Sequence, residues 1–244
     1  MNISKAYRFF LFFLLLNLVA FSQSKLPNEI YETYDKIVGL ENTGLYNGTE
    51  FTDPFLNTDG TYRYYNGYDY TRGSVTYNGQ YYVNVLLNYD LLEDNLLTRS
   101  DDNLSIFNVK LIPEFVASFS VGSHNFVRLS DVDLNISGNG FFEAAYLGNV
   151  FELYIKHTKK KKDKALNSGI QYRFSEANFY IVKSKGRYSL VDSEKDLREF
   201  IPEKDKEIRD FYKTYKALNK SNPDLFMIKL LTFLDSLETT KNQF

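Results

Sequence analysis

The chain has 244 residues, a formal net charge of −2 and no cysteine. It therefore has no disulfide, zinc–thiolate site, iron–sulfur cluster, thiol nucleophile or cysteine-borne lipid anchor. The slight acidity argues against general nucleic-acid binding, which calls for a basic surface.

The opening residues read as a secretory signal. Met1 to Arg8 is a short basic lead, Phe9 to Phe21 is an apolar run broken only by Asn17, and Ala20-Phe21-Ser22 offers small residues where a signal peptidase reads. A membrane-spanning helix takes about 20 apolar residues, so this run is too short to span comfortably. No later stretch of that length follows. The expectation is a signal peptide over residues 1–22, a mature start near Gln23 and no transmembrane span in the mature chain. An exported chain without cysteine suits a bacterial envelope, because disulfides are common on eukaryotic secretory routes. Asn47, Asn103, Asn135 and Asn219 head N-x-[ST] sequons, which the abundance of Asn makes chance matches.

Residues 23–192 read as one antiparallel β-rich domain. Aromatics make up 17% of the chain, all Phe and Tyr, and both favour strands. From 25 to 73 the pattern is aperiodic, with turn dipeptides at Asn47-Gly48, Asp59-Gly60 and Asn66-Gly67. Tyr62, Tyr64, Tyr65, Tyr68 and Tyr70 crowd this stretch. Such rings can cover a sugar face or a peptide strand, which makes them candidate ligand contacts. Equally, they can cap the open end of a sheet.

From Gly73 the β signal is clear. Ser74 to Tyr77 runs into Asn78-Gly79, a hairpin turn, and Tyr82 to Leu92 follows. Val83, Val85, Leu87, Tyr89 and Leu91 share one face; Asn84, Asn88 and Asp90 share the other, expected to be wet. Glu93-Asp94-Asn95 turns the chain back into Leu96–Arg99. Further strands are expected around Phe107–Leu111, Phe126–Leu129, Phe151–Lys156, Ile170–Phe174, Phe179–Val182 and Tyr188–Val191, the last two flanking Lys185-Gly186. Many short strands joined by tight turns indicate an antiparallel sheet curved around one core, as a sandwich or half-open barrel.

The period changes after Asp192. Ser193-x-x-Asp196 is a capping signal ahead of Leu197, Phe200 and Ile201. Pro202 ends that helix or begins the next, and Ile208, Phe211, Tyr212, Tyr215 and Leu218 form a second stripe. Asn222-Pro223 starts a third helix carrying Ile228, Leu231 and Leu234. The expected class is thus α+β: mainly antiparallel sheet, then amphipathic helices over 193–238 packed on it, and a tail at 239–244.

Few residues point to chemistry. His124 and His157 lie far apart in sequence with no metal-ligand spacing and read as structural. Asp131-Val132-Asp133-Leu134-Asn135 starts like a calcium loop, but Ile136 stands where glycine is needed and Phe142 where the bidentate acid belongs. Lys159 to Lys162, with Asp163 and Lys164, reads as a solvated hairpin tip; contact with anionic lipid or lipopolysaccharide is the functional alternative. Phe244 ends the chain on an aromatic, but the tail does not alternate as a barrel strand does. Asp90, Glu93 and Asp94 cluster at one turn, and paired carboxylates can hydrolyse glycosides when held across a groove. No phosphate loop, nucleophile signature or organic cofactor is indicated.

The run Gly73-Ser74-Val75-Thr76-Tyr77-Asn78-Gly79-Gln80-Tyr81-Tyr82-Val83-Asn84-Val85, with Tyr89-Asp90 and the acidic turn beyond, resembles an uncharacterised secreted protein family of Bacteroidota. The shared pattern is roughly G-x-V-x-Y-x-G-x-x-Y-x-N-V, then Y-D; Tyr46-Asn47-Gly48-Thr49-Glu50 also fits it. The resemblance covers roughly residues 42–100 well and the rest loosely. It implies an exported, β-rich protein of a Gram-negative periplasm or surface, and supplies no catalytic residue. Taken together, the expectation is a non-enzymatic binding or scaffold module whose partner is an envelope protein or glycan. The alternative is a glycan hydrolase using Asp90, Glu93 or Asp94.

Overall fold

A computed structural model describes residues 43–100, 107–129 and 140–241. The signal-like lead, the Asp131–Asn135 run and Phe244 lie outside the described residues.

Period-two segments become strands where expected. β1 (Thr49–Phe51) is short. β2 (Thr71–Tyr77) and β3 (Gln80–Asp90) form a hairpin whose Asn78 and Gly79 take φ of 49° and 79°. Positive φ at both positions is what a two-residue turn needs to match strand twist. β4 (Asn95–Arg99) returns along β3 after the acidic turn. Then come β5 (Asn108–Lys110), β6 (Val116–Val121), β7 (His124–Arg128), β8 (Phe141–Leu147) and β9 (Phe151–Lys156). β10 (Lys159–Leu166) and β11 (Gly169–Glu176) precede β12 (Phe179–Ser184) and β13 (Arg187–Val191). Eleven strands make one curved, unclosed sheet in the order β1-β5-β4-β3-β2-β6-β7-β8-β9-β12-β13. Its strand pairs are antiparallel.

Two local expectations need correction. The lysine run is a strand rather than a hairpin tip: Lys159–Leu166 pairs along its whole length with β11 as a separate two-stranded sheet. Alternating orientation puts successive ammonium groups on opposite faces, so like charges need not gather in a turn. In β3, Val85 opposes Gly73 while Tyr82 opposes Val75, leaving Val83 and Asn84 against Ser74 alone. This is a β-bulge, with Asn84 at φ 57°. It takes Val83 out of the core cluster that holds Tyr82, Val85, Leu87, Tyr89 and Leu91.

The helices begin where the period changes. Ser193 caps α1 (Glu194–Phe200) by accepting from the Asp196 amide at 3.3 Å. Pro202 opens a single 3-10 turn, and α2 (Asp205–Thr214) follows. The second apolar stripe is broken at Tyr215, which separates α2 from α3 (Lys216–Ser221) and is 44% exposed. Asn222 caps α4 (Pro223–Lys241), accepting from the Leu225 amide at 3.0 Å. Among the described residues, no helix is long and apolar enough to cross a membrane.

The interior is divided, not single. One cluster, centred on Val85, Leu87, Tyr89, Phe119, Phe126 and Phe141, fills the curve of the strands. A second, with Leu153, Ile155, Val182, Leu197, Ile208, Phe226 and Leu230, packs the helices against β9, β12 and β13. Asp235 of α4 fastens this half. It accepts from the Tyr146 hydroxyl at 2.7 Å and from the amides of Asn149, Val150 and Phe151 at 3.1, 3.0 and 3.3 Å. Gly148 allows that approach, since a Cβ there would lie 1.6 Å from the Asp235 carboxylate.

Candidate functional site

The acidic turn and the tyrosine-rich segment meet in space. Residues 52–70 contain no strand and run as a strap over the end of β3. The strap is tied by its backbone: the Tyr65 amide donates to Tyr89 O at 2.9 Å, and the Leu91 amide donates to Arg63 O at 3.0 Å. The Asn88 side chain donates to the carbonyls of Gly67 and Tyr68 at 3.2 and 3.3 Å. Asn88 and Asp90, expected on a wet face, are consequently 3% and 0% exposed. Alternation assigned them the right face, but only tertiary structure reveals what covers it.

Arg63 is the strap's anchor and is wholly buried. Its Nε donates to Asp90 Oδ1 at 2.9 Å, and a second guanidinium nitrogen meets Asp90 Oδ2. Glu93 lies at 3.2 Å and Asp53 at 3.5 Å from the same group. Desolvation works against the Arg63 charge, but Asp90, Glu93 and Asp53 outweigh it and hold the guanidinium above its usual range. Burial pushes the Asp90 carboxyl above its usual range, with Arg63 and the Leu92 amide pulling the other way. Asp94 faces the opposite direction, where Lys156 Nζ sits 2.6 Å away and the Tyr89 hydroxyl donates to it. Burial lowers the Lys156 pKa against the pull of Asp94. Thus the three turn acids are brought together in sequence but divided in space between two cations.

The five tyrosines fare differently. Tyr64 is 4% exposed and donates to Asp53 at 2.7 Å; burial first, and Asp53 second, push its hydroxyl far above the usual range. Tyr65 is half-buried against the first core. Tyr70 is half-buried, its ring 4.7 Å from the Arg99 guanidinium. Tyr62 is half-buried with Lys159 at 4.8 Å, while Tyr68 is 50% exposed. Tyr68 packs edge-on against Tyr62 and Tyr64, with ring centroids 6.3 and 5.6 Å apart.

One constellation escaped the sequence. His124 Nδ1 and His157 Nε2 each lie 2.6 Å from a different oxygen of Glu143. Phe141, Glu143 and Ala145 alternate onto one face of β8; Phe141 belongs to the first core and Ala145 packs on the second. Glu143 therefore sits at the seam between them, 7% exposed. Burial works to raise its pKa, but the bonds from His157 and His124 prevail and hold it below the usual range. Tyr65 closes the site, its ring edge-on to both imidazoles at 5.4 and 5.0 Å. Chemically, Glu143 orients two imidazoles, and the His124 side chain is 44% exposed. Among the described residues, no hydroxyl nucleophile is hydrogen-bonded to either imidazole, and no group of three or more metal-ligating side chains is placed to hold an ion. A lone Glu flanked by Phe and Ala gives no sequence signal, because its partners lie in other strands.

Comparison of the chain with protein-family models, with curated proteins and with solved structures finds no match in any of the three.

Proposed function

We propose that the protein is an exported binding module of a bacterial envelope and that its ligand is met by the outer tyrosines of the strap, Tyr62 and Tyr68. The observation that carries this reading is the state of the turn acids. Asp90 is buried in a two-point pair with Arg63, Glu93 leans on the same guanidinium and Asp94 is held by Lys156. A glycosidase needs one carboxyl free to protonate the leaving group and another facing the sugar or a water. Here Asp90 and Glu93 are instead spent on fastening the strap through Arg63, and Asp94 on the Lys156 ammonium. The tyrosines left at the surface are held edge-to-face, which fixes their rings in advance and lowers the entropic cost of covering a sugar or a peptide. Export rests on the basic, apolar and small-residue regions of residues 1–22 and on the resemblance of residues 73–90 to secreted Bacteroidota proteins.

The test separates fastener from contact. Tyr64→Ser should cost about 3 kcal/mol of stability, since it empties a buried aromatic site. Tyr68→Ser should leave melting unchanged and abolish capture of an envelope glycan or protein on an array of both. Unchanged capture by the Tyr62→Ser, Tyr68→Ser double variant would refute the assignment. So would glycan turnover that Asp90→Asn abolishes.

A further inference from the structure

The β10–β11 hairpin stands apart from the large sheet, and residues 162–170 are exposed without a break. Alternation sends Lys160, Lys162, Lys164 and Leu166 to one face. Their register partners Ser175, Arg173, Gln171 and Gly169 share it, so neither strand adds an acid to that face. The opposite face is already neutralised: Lys161 lies 3.2 Å from Asp163 and Lys159 lies 3.5 Å from Glu176. That face also carries the hairpin's rings, with Tyr172 packed on Phe55 at 4.9 Å. Among the described residues, Lys160, Lys162 and Lys164 have no carboxylate within salt-bridge distance. Lys162, Lys164, Gln171 and Arg173 line a solvent-open hollow of about 250 Å³, with Tyr172 at its wall. Asp59 and Asp163 also border it, but Asp59 is engaged by Arg173 and, at 2.7 Å, by the Thr61 hydroxyl, and Asp163 by Lys161. At the tip, Leu166 is 38% and Ile170 51% exposed.

We propose that this hairpin docks the protein on an anionic phospholipid surface. Residues two apart on a strand lie roughly 7 Å from one another, so the three ammonium groups form a row about 13 Å long. A row of that kind can meet several lipid phosphates at once, and the hollow admits a headgroup. Leu166 continues the same row at the tip and reaches the apolar boundary below the headgroups; Ile170, paired with Ala165 on the other face, flanks it at the turn. That apolar end distinguishes a bilayer from a nucleic acid.

The experiment is co-sedimentation of the full chain with vesicles of phosphatidylcholine alone and of phosphatidylcholine mixed with phosphatidylglycerol. The readout is the ratio of the two affinities compared between parent and variants, which share the same basic and apolar lead, so that its contribution cancels. The ratio should favour the anionic vesicles and shrink as salt is added. K160E/K162E/K164E should lower anionic binding on the order of 100-fold, about fivefold for each lysine. L166S/I170S should weaken it several-fold while keeping the preference for charge. If charge reversal disturbs the hairpin by circular dichroism, K160Q/K162Q/K164Q serves in its place and should remove most of the preference. A parent with no anionic preference, or a glutamine variant that retains it in full, would overturn the proposal. So would a parent that binds DNA or inorganic polyphosphate but neither kind of vesicle.

Discussion

At the residue scale, Glu143 makes the sharpest claim about pH. Its folded pKa is held below the unfolded value of about 4.5 by His157 and His124. A carboxyl shifted downward stabilises the fold when ionised. That contribution is complete above pH 4.5 and is lost as pH falls through the lower folded value. Urea unfolding near neutral pH should show Glu143→Gln to be weaker than the parent by about 2–3 kcal/mol, the scale of a charged hydrogen bond. Below that window the two should converge, and a gap that stays constant into acid would contradict the assignment. None of this was legible in sequence. His124 and His157 are separated by 33 positions and share no spacing rule, so only the register of β7, β8 and β9 brings them to one carboxylate. The turn acids were legible as a cluster, but their buried partner Arg63 was not, since a single arginine among tyrosines gives no periodic signal.

At the scale of elements, local chemistry was read well and its coverage was not. Asn78-Gly79, Ser193 and Asn222-Pro223 each act as their residue types dictate, because turns and caps are decided within four residues. The bulge at Asn84 was missed, because inserting one residue shifts the alternation without disturbing composition. The lysine run suggests a tip by its charge, but its pairing with β11, whose Tyr172 and Phe174 supply the face that orders it, makes it a strand. The α4 latch gives the test at this scale. Asp235→Ala leaves the amides of Asn149, Val150 and Phe151 without their carboxylate and should cost about 2–4 kcal/mol. Gly148→Ala drives a Cβ into the same carboxylate. The double variant should therefore lose less than the sum of the singles, as residues sharing one contact do. Strict additivity in denaturant unfolding would argue against the latch.

For the whole molecule, an open curved sheet carries two large cores and a small third cluster of Phe142, Tyr154 and Ile181, and a strap without strands closes the first. α+β composition and the change of period at Asp192 foretell sheet followed by helices, and the structure has that layout. They do not foretell a divided interior, because division depends on which strands the helices choose to cover. The strap decides between fastening and catalysis at Asp90, the turn carboxylate it covers fully, while Glu93 stays half exposed against the same Arg63 guanidinium. Thermal unfolding of Asp90→Asn, run beside a glycan-turnover assay of parent and variant, asks this directly. Removing one partner of a buried pair costs about 3–5 kcal/mol. At ~2–4 °C per kcal/mol for a chain of this size, the midpoint should fall by about 6–20 °C, with no parental turnover to lose. An unchanged midpoint together with abolished turnover would contradict the structural role of the Arg63–Asp90 pair and restore the acidic turn as an active site.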